Sequence, residues 1–93
     1  MAFESPHRLE CELLVQNPEG IHARPAAQFV RCARSCECEL RIRKDGDEYD
    51  ARSIMAVLTA NLNCGDRFVL CAEGPRAAEA IEAMRALVNS FRT

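Results

Sequence analysis

Apolar and polar residues alternate strictly in two stretches of the chain. Apolar side chains occupy every second position over residues 9–15 and again over residues 36–42, and most of the intervening positions are charged or polar. A period of two predicts a β-strand with one buried face and one solvated face. The residues expected on the solvated face are Glu10, Glu12, Glu39, Arg41 and Arg43.

Helical periodicity follows the first strand and returns near the end of the chain. Apolar residues recur at helical spacing over residues 26–33 and over residues 77–88, which predicts two amphipathic helices. Pro25 suits the start of the first helix. The N–H groups of the first helical turn have no acceptor within the helix, so a proline there costs no hydrogen bond. Ser53 is a favourable N-cap for a third, shorter helix over residues 54–58.

Turn residues divide the rest of the chain. Asp45 and Gly46 predict a hairpin between the second strand and a short returning strand at residues 48–52. An apolar run at residues 68–72 predicts a fourth strand. The order is therefore β-α-β-β-α-β-α. It indicates an α+β fold in which the helices cover one face of a four-stranded antiparallel sheet and leave the other face to solvent.

The amino-acid composition indicates which class of protein the sequence encodes. The 93 residues are 48% hydrophobic and 28% charged, with a net charge of −2, which is typical of a soluble globular domain and excludes intrinsic disorder. We expect a single domain over residues 1–93, with residues 1–8 as an N-terminal extension. The charge balance argues against a nucleic-acid partner. No apolar run predicts membrane insertion or a secretory signal, so we expect a cytoplasmic protein.

Six cysteines are unusual in so short a chain, and their roles stay open at this point. Cys11 and Cys38 fall on the apolar phase of the predicted strands, where a free cysteine behaves as a small buried hydrophobe. The spacing of the others fits no familiar zinc pattern. We therefore expect structural cysteines and no metal. The alternatives are a redox or disulfide role and a metal-binding module that uses Cys32, Cys36, Cys38 and Cys64.

Residues 20–26, Gly-Ile-His-Ala-Arg-Pro-Ala, carry the strongest chemical signal. They place His22 at the junction of a turn and a helix N-terminus, where unpaired backbone N–H groups and the helix dipole favour anions such as phosphate. Arg24 adds a guanidinium that is suited to phosphate oxygens. Because a neutral imidazole is a nucleophile near pH 7, the arrangement predicts phosphoryl transfer through His22.

The same seven residues resemble the active-site signature of the HPr family, the histidine-containing phosphocarriers of the bacterial phosphoenolpyruvate:sugar phosphotransferase system. Residues 52–58, Arg-Ser-Ile-Met-Ala-Val-Leu, are similar to the regulatory serine segment of that family. The resemblance covers residues 9–90. It departs from the family at Ala56, where glycine is usual, and in the number of cysteines.

The resemblance implies an HPr-like open-faced β-sandwich and a phosphocarrier that is a cosubstrate of other enzymes rather than a turnover enzyme. His22 would accept phosphate on Nδ1 from phosphorylated enzyme I and pass it to the A domains of enzyme II. Arg24 would stabilise the phosphoryl group, and the backbone N–H groups of Ala23 and Arg24 would bind its oxygens. The resemblance implies a monomer that needs no cofactor.

The second motif implies regulation and docking. Ser53 matches the serine that HPr kinase/phosphorylase modifies in organisms that have this enzyme. A phosphate there would leave the fold intact and weaken docking to acidic partners. The residues that the resemblance assigns to partner docking are Ile54, Met55, Leu58, Arg31 and Arg34.

Three alternatives to a sugar-system carrier stay open. A paralogue in a nitrogen-related or purely regulatory branch would use the same chemistry with other partners. The cysteine-based metal module is a second, and a small regulatory domain that binds a ligand on its open sheet face is a third. Neither of the last two explains the setting of His22.

Overall fold

The protein is described by a computed structural model, which covers residues 8–91. The predicted N-terminal extension lies outside the described residues except for Arg8, which is the first residue of β1. The strands are β1 (Arg8–Leu14), β2 (Glu39–Lys44), β3 (Asp47–Asp50) and β4 (Arg67–Glu73). The helices are α1 (Arg24–Ser35), α2 (Ile54–Thr59) and α3 (Ala77–Ser90). This chain order confirms the predicted one.

The four strands form one antiparallel sheet in the order β1-β4-β2-β3. Leu70 of β4 lies between Cys11 of β1 and Ile42 of β2. Side chains of the two neighbouring strands shield part of the open face of β4, because Arg43 of β2 reaches Glu10 of β1 across Cys71. Phe68, Leu70 and Ala72 face the core, while Cys71 on the other face is only 8% exposed.

All three helices pack on one face of the sheet and enclose the core. Phe29 of α1 meets Phe68 of β4 edge to face, with ring centroids 6.3 Å apart. Met84 and Val88 of α3 are fully buried in the same core. The predicted α+β open-faced sandwich is therefore confirmed.

The open face of the sheet carries ion pairs, as the alternating charges predicted. Arg43 reaches across β4 and donates two hydrogen bonds to the Glu10 carboxylate, at 2.9 and 3.1 Å. The same guanidinium donates to the Cys71 sulfur at 3.5 Å, and burial under these side chains raises the pKa of the Cys71 thiol. Because these charged groups already pair with each other, the face does not favour the ligand-binding alternative.

Several element ends differ from the sequence prediction, each for a local reason. The second strand begins at Glu39 rather than at residue 36, because Cys36 ends α1 and donates its N–H to the carbonyl of Ala33. The returning strand ends at Asp50 rather than at residue 52, because the Asp50 carboxylate and carbonyl accept from the N–H groups of Arg52 and Ser53 and turn the chain. Leu9 lies in the edge strand β1 and stays 40% exposed.

Backbone hydrogen bonds join the loop after α2 to the chain segment that follows β1. Val15 N–H donates to the Asp66 carbonyl at 2.9 Å, and Gly65 N–H donates to the Val15 carbonyl at 2.8 Å. Farther along, Ile21 N–H donates to the Leu62 carbonyl at 2.8 Å. Three backbone bonds thus join residues 15–21 to residues 62–66, and the joined segment leads directly into α1.

Lys44 holds the other side of this loop. Its ammonium group donates to the carbonyls of Ala60 and Asn61 at 3.2 and 2.6 Å, and to the Asp66 carboxylate at 3.0 Å. The same Asp66 oxygen accepts from Asn63 N–H at 2.9 Å. A cation at the C-terminal end of a helix is favourable on its own, so Lys44 stabilises both α2 and the loop.

Among residues 8–91, no helix has the length and apolar character that crossing a membrane requires. The longest, α3, has 14 residues.

We predict that Asp66→Asn removes a pH-dependent part of the stability. The Asn63 N–H and then Lys44 hold the pKa of the Asp66 carboxyl below its usual value of 3.8. A lowered folded-state pKa stabilises the protein above that usual value, and the contribution is lost as the pH falls through the folded-state pKa. The free energy of unfolding, measured by urea denaturation, should therefore fall less between pH 7 and pH 2.5 in Asp66→Asn than in the parent protein. Asp47→Asn is the control, and equal acid sensitivity of parent and Asp66→Asn would contradict the prediction.

Candidate functional site

A hydrogen-bonded turn precedes His22 and fixes the direction in which the chain enters α1. Asn17 is buried, at 1% exposure, and its side-chain amide donates to the Gly20 carbonyl at 2.6 Å. Gly20 N–H donates back to the Asn17 carbonyl at 3.1 Å. The side chain of Asn17 therefore closes the turn from inside the protein, a role that sequence reasoning did not assign to it.

Gly20 is the one residue of this turn that cannot carry a side chain. Its φ of 78° lies in the left-handed region, and a Cβ built on it would lie 2.6 Å from the Leu62 carbonyl oxygen. Leu62 itself accepts from Ile21, so the backbone there has little room to move. The close approach of two backbone segments thus accounts for a glycine two residues before His22.

The N-terminus of α1 is open. Ala23 occupies the N-cap with φ 55° and ψ −121°, and no side chain caps the first turn. Pro25 follows within the first turn, and the turn has no acidic residue. Backbone N–H groups at such an end point away from the helix and carry partial positive charge, so they suit an anion.

His22 and Arg24 both line a cleft of about 430 Å³. Both side chains are exposed. The residues lining the cleft are Glu19, Gly20, His22, Ala23, Arg24, Pro25, Gln28, Ser90 and Phe91. The structure therefore brings together the imidazole, the guanidinium and the open helix end that the first motif predicted.

Four lining residues were not predicted from the sequence. Gln28 lies one helical turn after Arg24, so helical spacing alone could have identified it. Glu19 adjoins the motif directly. Ser90 and Phe91 come from the far end of the chain, and no local signal could have placed the end of α3 beside His22.

The second predicted motif forms α2 and the turn before it. Ser53 is confirmed as the N-cap, since its hydroxyl accepts from Ala56 N–H at 3.2 Å. Val57 is buried, whereas Ile54, Met55 and Leu58 are 37%, 69% and 41% exposed. One short helix thus presents three large apolar side chains to solvent.

The arginines predicted for docking lie beside this apolar surface. A shallow groove of about 330 Å³ separates α1 from α2. Its lining residues are Ala27, Val30, Arg31, Arg34 and Ile54. Arg34 also donates its Nε–H to the carbonyl of Arg52, at 2.8 Å. Basic and apolar groups therefore share one face of the protein.

The cysteines do not assemble a metal centre within the described part of the chain. Residues 8–91 contain no cluster of three or more His, Cys, Asp or Glu side chains placed to hold an ion. Cys38 is buried in the core, and burial raises the pKa of its thiol and of the Cys32 thiol. Cys64 is exposed on the loop after α2. The structure thus gives no support to the metal-module alternative.

Comparison with known proteins gives consistent results for sequence and structure. A family model described as "PTS HPr component phosphorylation site" matches residues 9–90. The phosphocarrier protein HPr of Vibrio cholerae is 35% identical over 82 residues, which cover 88% of this chain and 94% of that protein. The HPr-like protein Crh of Halalkalibacterium halodurans is 36% identical over 81 residues, which cover 87% of this chain and 96% of that protein.

A solved structure resembles the present one closely. The crystal structure of HPr-C-His from Thermoanaerobacter tengcongensis matches it with a TM-score of 0.86 at 35% identity. The match covers 88% of this chain and 92% of that chain. The likeness therefore extends over most of both chains.

We predict that Gly20→Ala lowers the free energy of unfolding by about 2 kcal/mol or more, because it combines left-handed strain with a backbone collision. Gly46→Ala is the matched control. Gly46 also has a positive φ, of 86°, but a Cβ built on it would meet no atom within 4 Å beyond its chain neighbours, so we expect a loss of about 1 kcal/mol. Urea denaturation of both variants measures the difference. Equal losses would show that the contact with Leu62 does not constrain the turn.

Proposed function

The chain belongs to the HPr family of phosphocarrier proteins, and from that premise we propose that it carries a phosphoryl group on His22 within the phosphoenolpyruvate:sugar phosphotransferase system. Phosphorylated enzyme I is the proposed donor, and the A domains of enzyme II are the proposed acceptors. The observation that carries the proposal is the exposed His22 imidazole beside the open N-terminus of α1 and the guanidinium of Arg24.

In the proposed transfer, the lone pair of the His22 Nδ1 atom attacks phosphorus as the bond between phosphorus and the donor breaks. The other ring nitrogen keeps its proton, so no general base is required. Negative charge on the phosphoryl oxygens meets the backbone N–H groups of Ala23 and Arg24 and the Arg24 guanidinium. Donors that are fixed before the reaction stabilise the transferring group without reorganisation.

The openness of the site supports a carrier rather than an enzyme that encloses its substrate. His22, Ala23 and Arg24 are all exposed, so two different proteins can approach the imidazole in turn. A phosphoramidate on the ring is reactive, and it passes to an acceptor whose nucleophile lines up behind phosphorus. The protein would then be a cosubstrate at both steps.

We assign docking to the surface formed by α2 and the groove beside α1. The exposed side chains of Ile54, Met55 and Leu58 offer apolar contact, and Arg31 and Arg34 offer positive charge. Apolar anchors with charged neighbours are typical of transient interfaces, in which charge speeds encounter with a complementary partner. Partner surfaces that combine apolar and acidic residues fit this face.

Ser53 is the proposed site of regulatory phosphorylation by an HPr kinase/phosphorylase. Its hydroxyl is half-buried at the start of α2, next to exposed Ile54 and Met55. A phosphate there adds a charge of about −1.5 to −2 at the edge of the docking surface. Acidic partners would then be repelled while the fold is kept.

A regulatory paralogue is the second candidate function. The similarity to the HPr-like protein Crh is as high as that to HPr itself, so the chemistry of His22 and the identity of the partners are separate questions. The two candidates differ in the acceptor. A carrier of the sugar system phosphorylates the A domains of sugar-specific enzymes II, whereas a protein of a nitrogen-related or purely regulatory branch acts on other partners.

The function predicts an acid-labile adduct of one phosphoryl group on His22. Incubation with phosphoenolpyruvate and enzyme I, followed by intact-mass analysis, should show the adduct in the parent protein and not in His22→Ala. His7→Ala is the matched control, because it makes the same change at the other histidine of the chain. An adduct that survives in His22→Ala, or no adduct with the cognate enzyme I, would contradict the proposal.

The same assay tests the docking surface. Met55→Asp replaces the most exposed apolar side chain of α2 by a charged one. When the concentration of this protein limits the reaction, the initial rate of its phosphorylation by enzyme I should fall about tenfold. Ala83→Asp, at an exposed position of α3, is the control. Equal rates for the two variants would remove Met55 from the interface.

A further inference from the structure

We propose that Arg34 is an internal partner of the phosphate on Ser53, so that phosphorylation withdraws this arginine from the docking surface. The proposal rests on the regulatory role of Ser53 given above. It adds a specific contact within the protein to a regulation that charge repulsion alone would otherwise explain.

The position of the Arg34 guanidinium carries the proposal. Arg34 lies in the last turn of α1, and its Nε–H donates to the Arg52 carbonyl at 2.8 Å. This carbonyl belongs to the peptide group that joins Arg52 to Ser53. The guanidinium of Arg34 is therefore hydrogen-bonded to the backbone directly before the serine. A bond between residues 18 positions apart already holds it there before any phosphate is added.

Arg34 has donors to spare at this position. Its Nε–H is engaged by Arg52, and within residues 8–91 no other hydrogen bond or ion pair of its guanidinium is found. The terminal nitrogens therefore remain for a new acceptor. Arginine presents its N–H groups as a rigid fork that matches two phosphate oxygens at once.

Ser53 directly follows the carbonyl that Arg34 already binds. Ser53 is half-buried at the N-cap of α2, and its hydroxyl accepts from Ala56 N–H at 3.2 Å. Phosphorylation adds three oxygens beyond the hydroxyl oxygen, which lengthens the reach of the side chain and adds acceptors for the guanidinium. The other charged groups here are exposed Arg52 and Arg31 and the Asp50 carboxylate, which accepts from Arg52 N–H. The nearby Cys38 thiol is titratable, but burial raises its pKa.

Without a phosphate on Ser53, Arg34 is part of the proposed docking surface. It lines the groove beside Ile54 together with Arg31. A phosphate that engages Arg34 adds negative charge to this face and neutralises one of its two groove arginines. Both changes weaken attraction to an acidic partner, so phosphorylation of Ser53 weakens docking in two ways.

The test uses protein in which phosphoserine is inserted at position 53 during translation, so it requires no kinase. The phosphate is titrated by ³¹P NMR in the parent sequence, in Arg34→Gln and in Arg31→Gln. A nearby cation favours the doubly charged phosphate and lowers its second pKa. We expect the titration midpoint to move to higher pH in Arg34→Gln and to move less in Arg31→Gln, which removes an equal charge one turn earlier on α1.

Two results would overturn the proposal: the same midpoint in all three proteins, or equal shifts in the two variants. The second result would mean that general charge, rather than a specific pair, acts on the phosphate. The Nε–H resonance of Arg34 gives a readout in the folded parent, and it should shift when Ser53 carries phosphate. A separate failure of any kinase to modify Ser53 would contradict the proposed regulation and leave the Arg34 contact standing.

Discussion

The backbone contact between Ile21 and Leu62 holds the turn that carries His22 against the loop that follows α2. Ile21 donates to the Leu62 carbonyl at 2.8 Å, and Gly20 lies so close to the same carbonyl that a side chain has no room. The loop is supported in turn by Val15 and by Lys44, which bridges the end of α2 and Asp66. The direction in which α1 starts, and so the position of its open N-terminus, depends on this contact.

Helix α1 then connects the two chemical motifs of the protein. Its first turn offers backbone N–H groups beside His22, and its last turn extends Arg34 to the carbonyl that precedes Ser53. The groove between α1 and α2 lies between these two ends. A phosphate on His22 and a phosphate on Ser53 would therefore lie near opposite ends of α1.

Local patterns predicted much of this, and long-range contacts account for the remainder. Alternation predicted β1, β2 and their solvated face, a hairpin turn predicted β3, and helical spacing predicted α1 and α3, because each pattern depends on neighbours close in sequence. The exposure of Met55 followed from the shortness of α2. The burial of Asn17, the position of Phe91 in the cleft and the cover over Cys71 depend on contacts between distant segments. No local pattern carries that information.

The most direct measurement of the central claim is the amide spectrum of the protein before and after phosphorylation of His22. If the open end of α1 binds the phosphoryl oxygens, the amide protons of Ala23 and Arg24 should shift downfield on phosphorylation, because each gains a charged hydrogen-bond acceptor. Amides of β3, on the far edge of the sheet, should stay in place. Unchanged resonances of Ala23 and Arg24 in fully phosphorylated protein would contradict the claim that the helix end holds the phosphate.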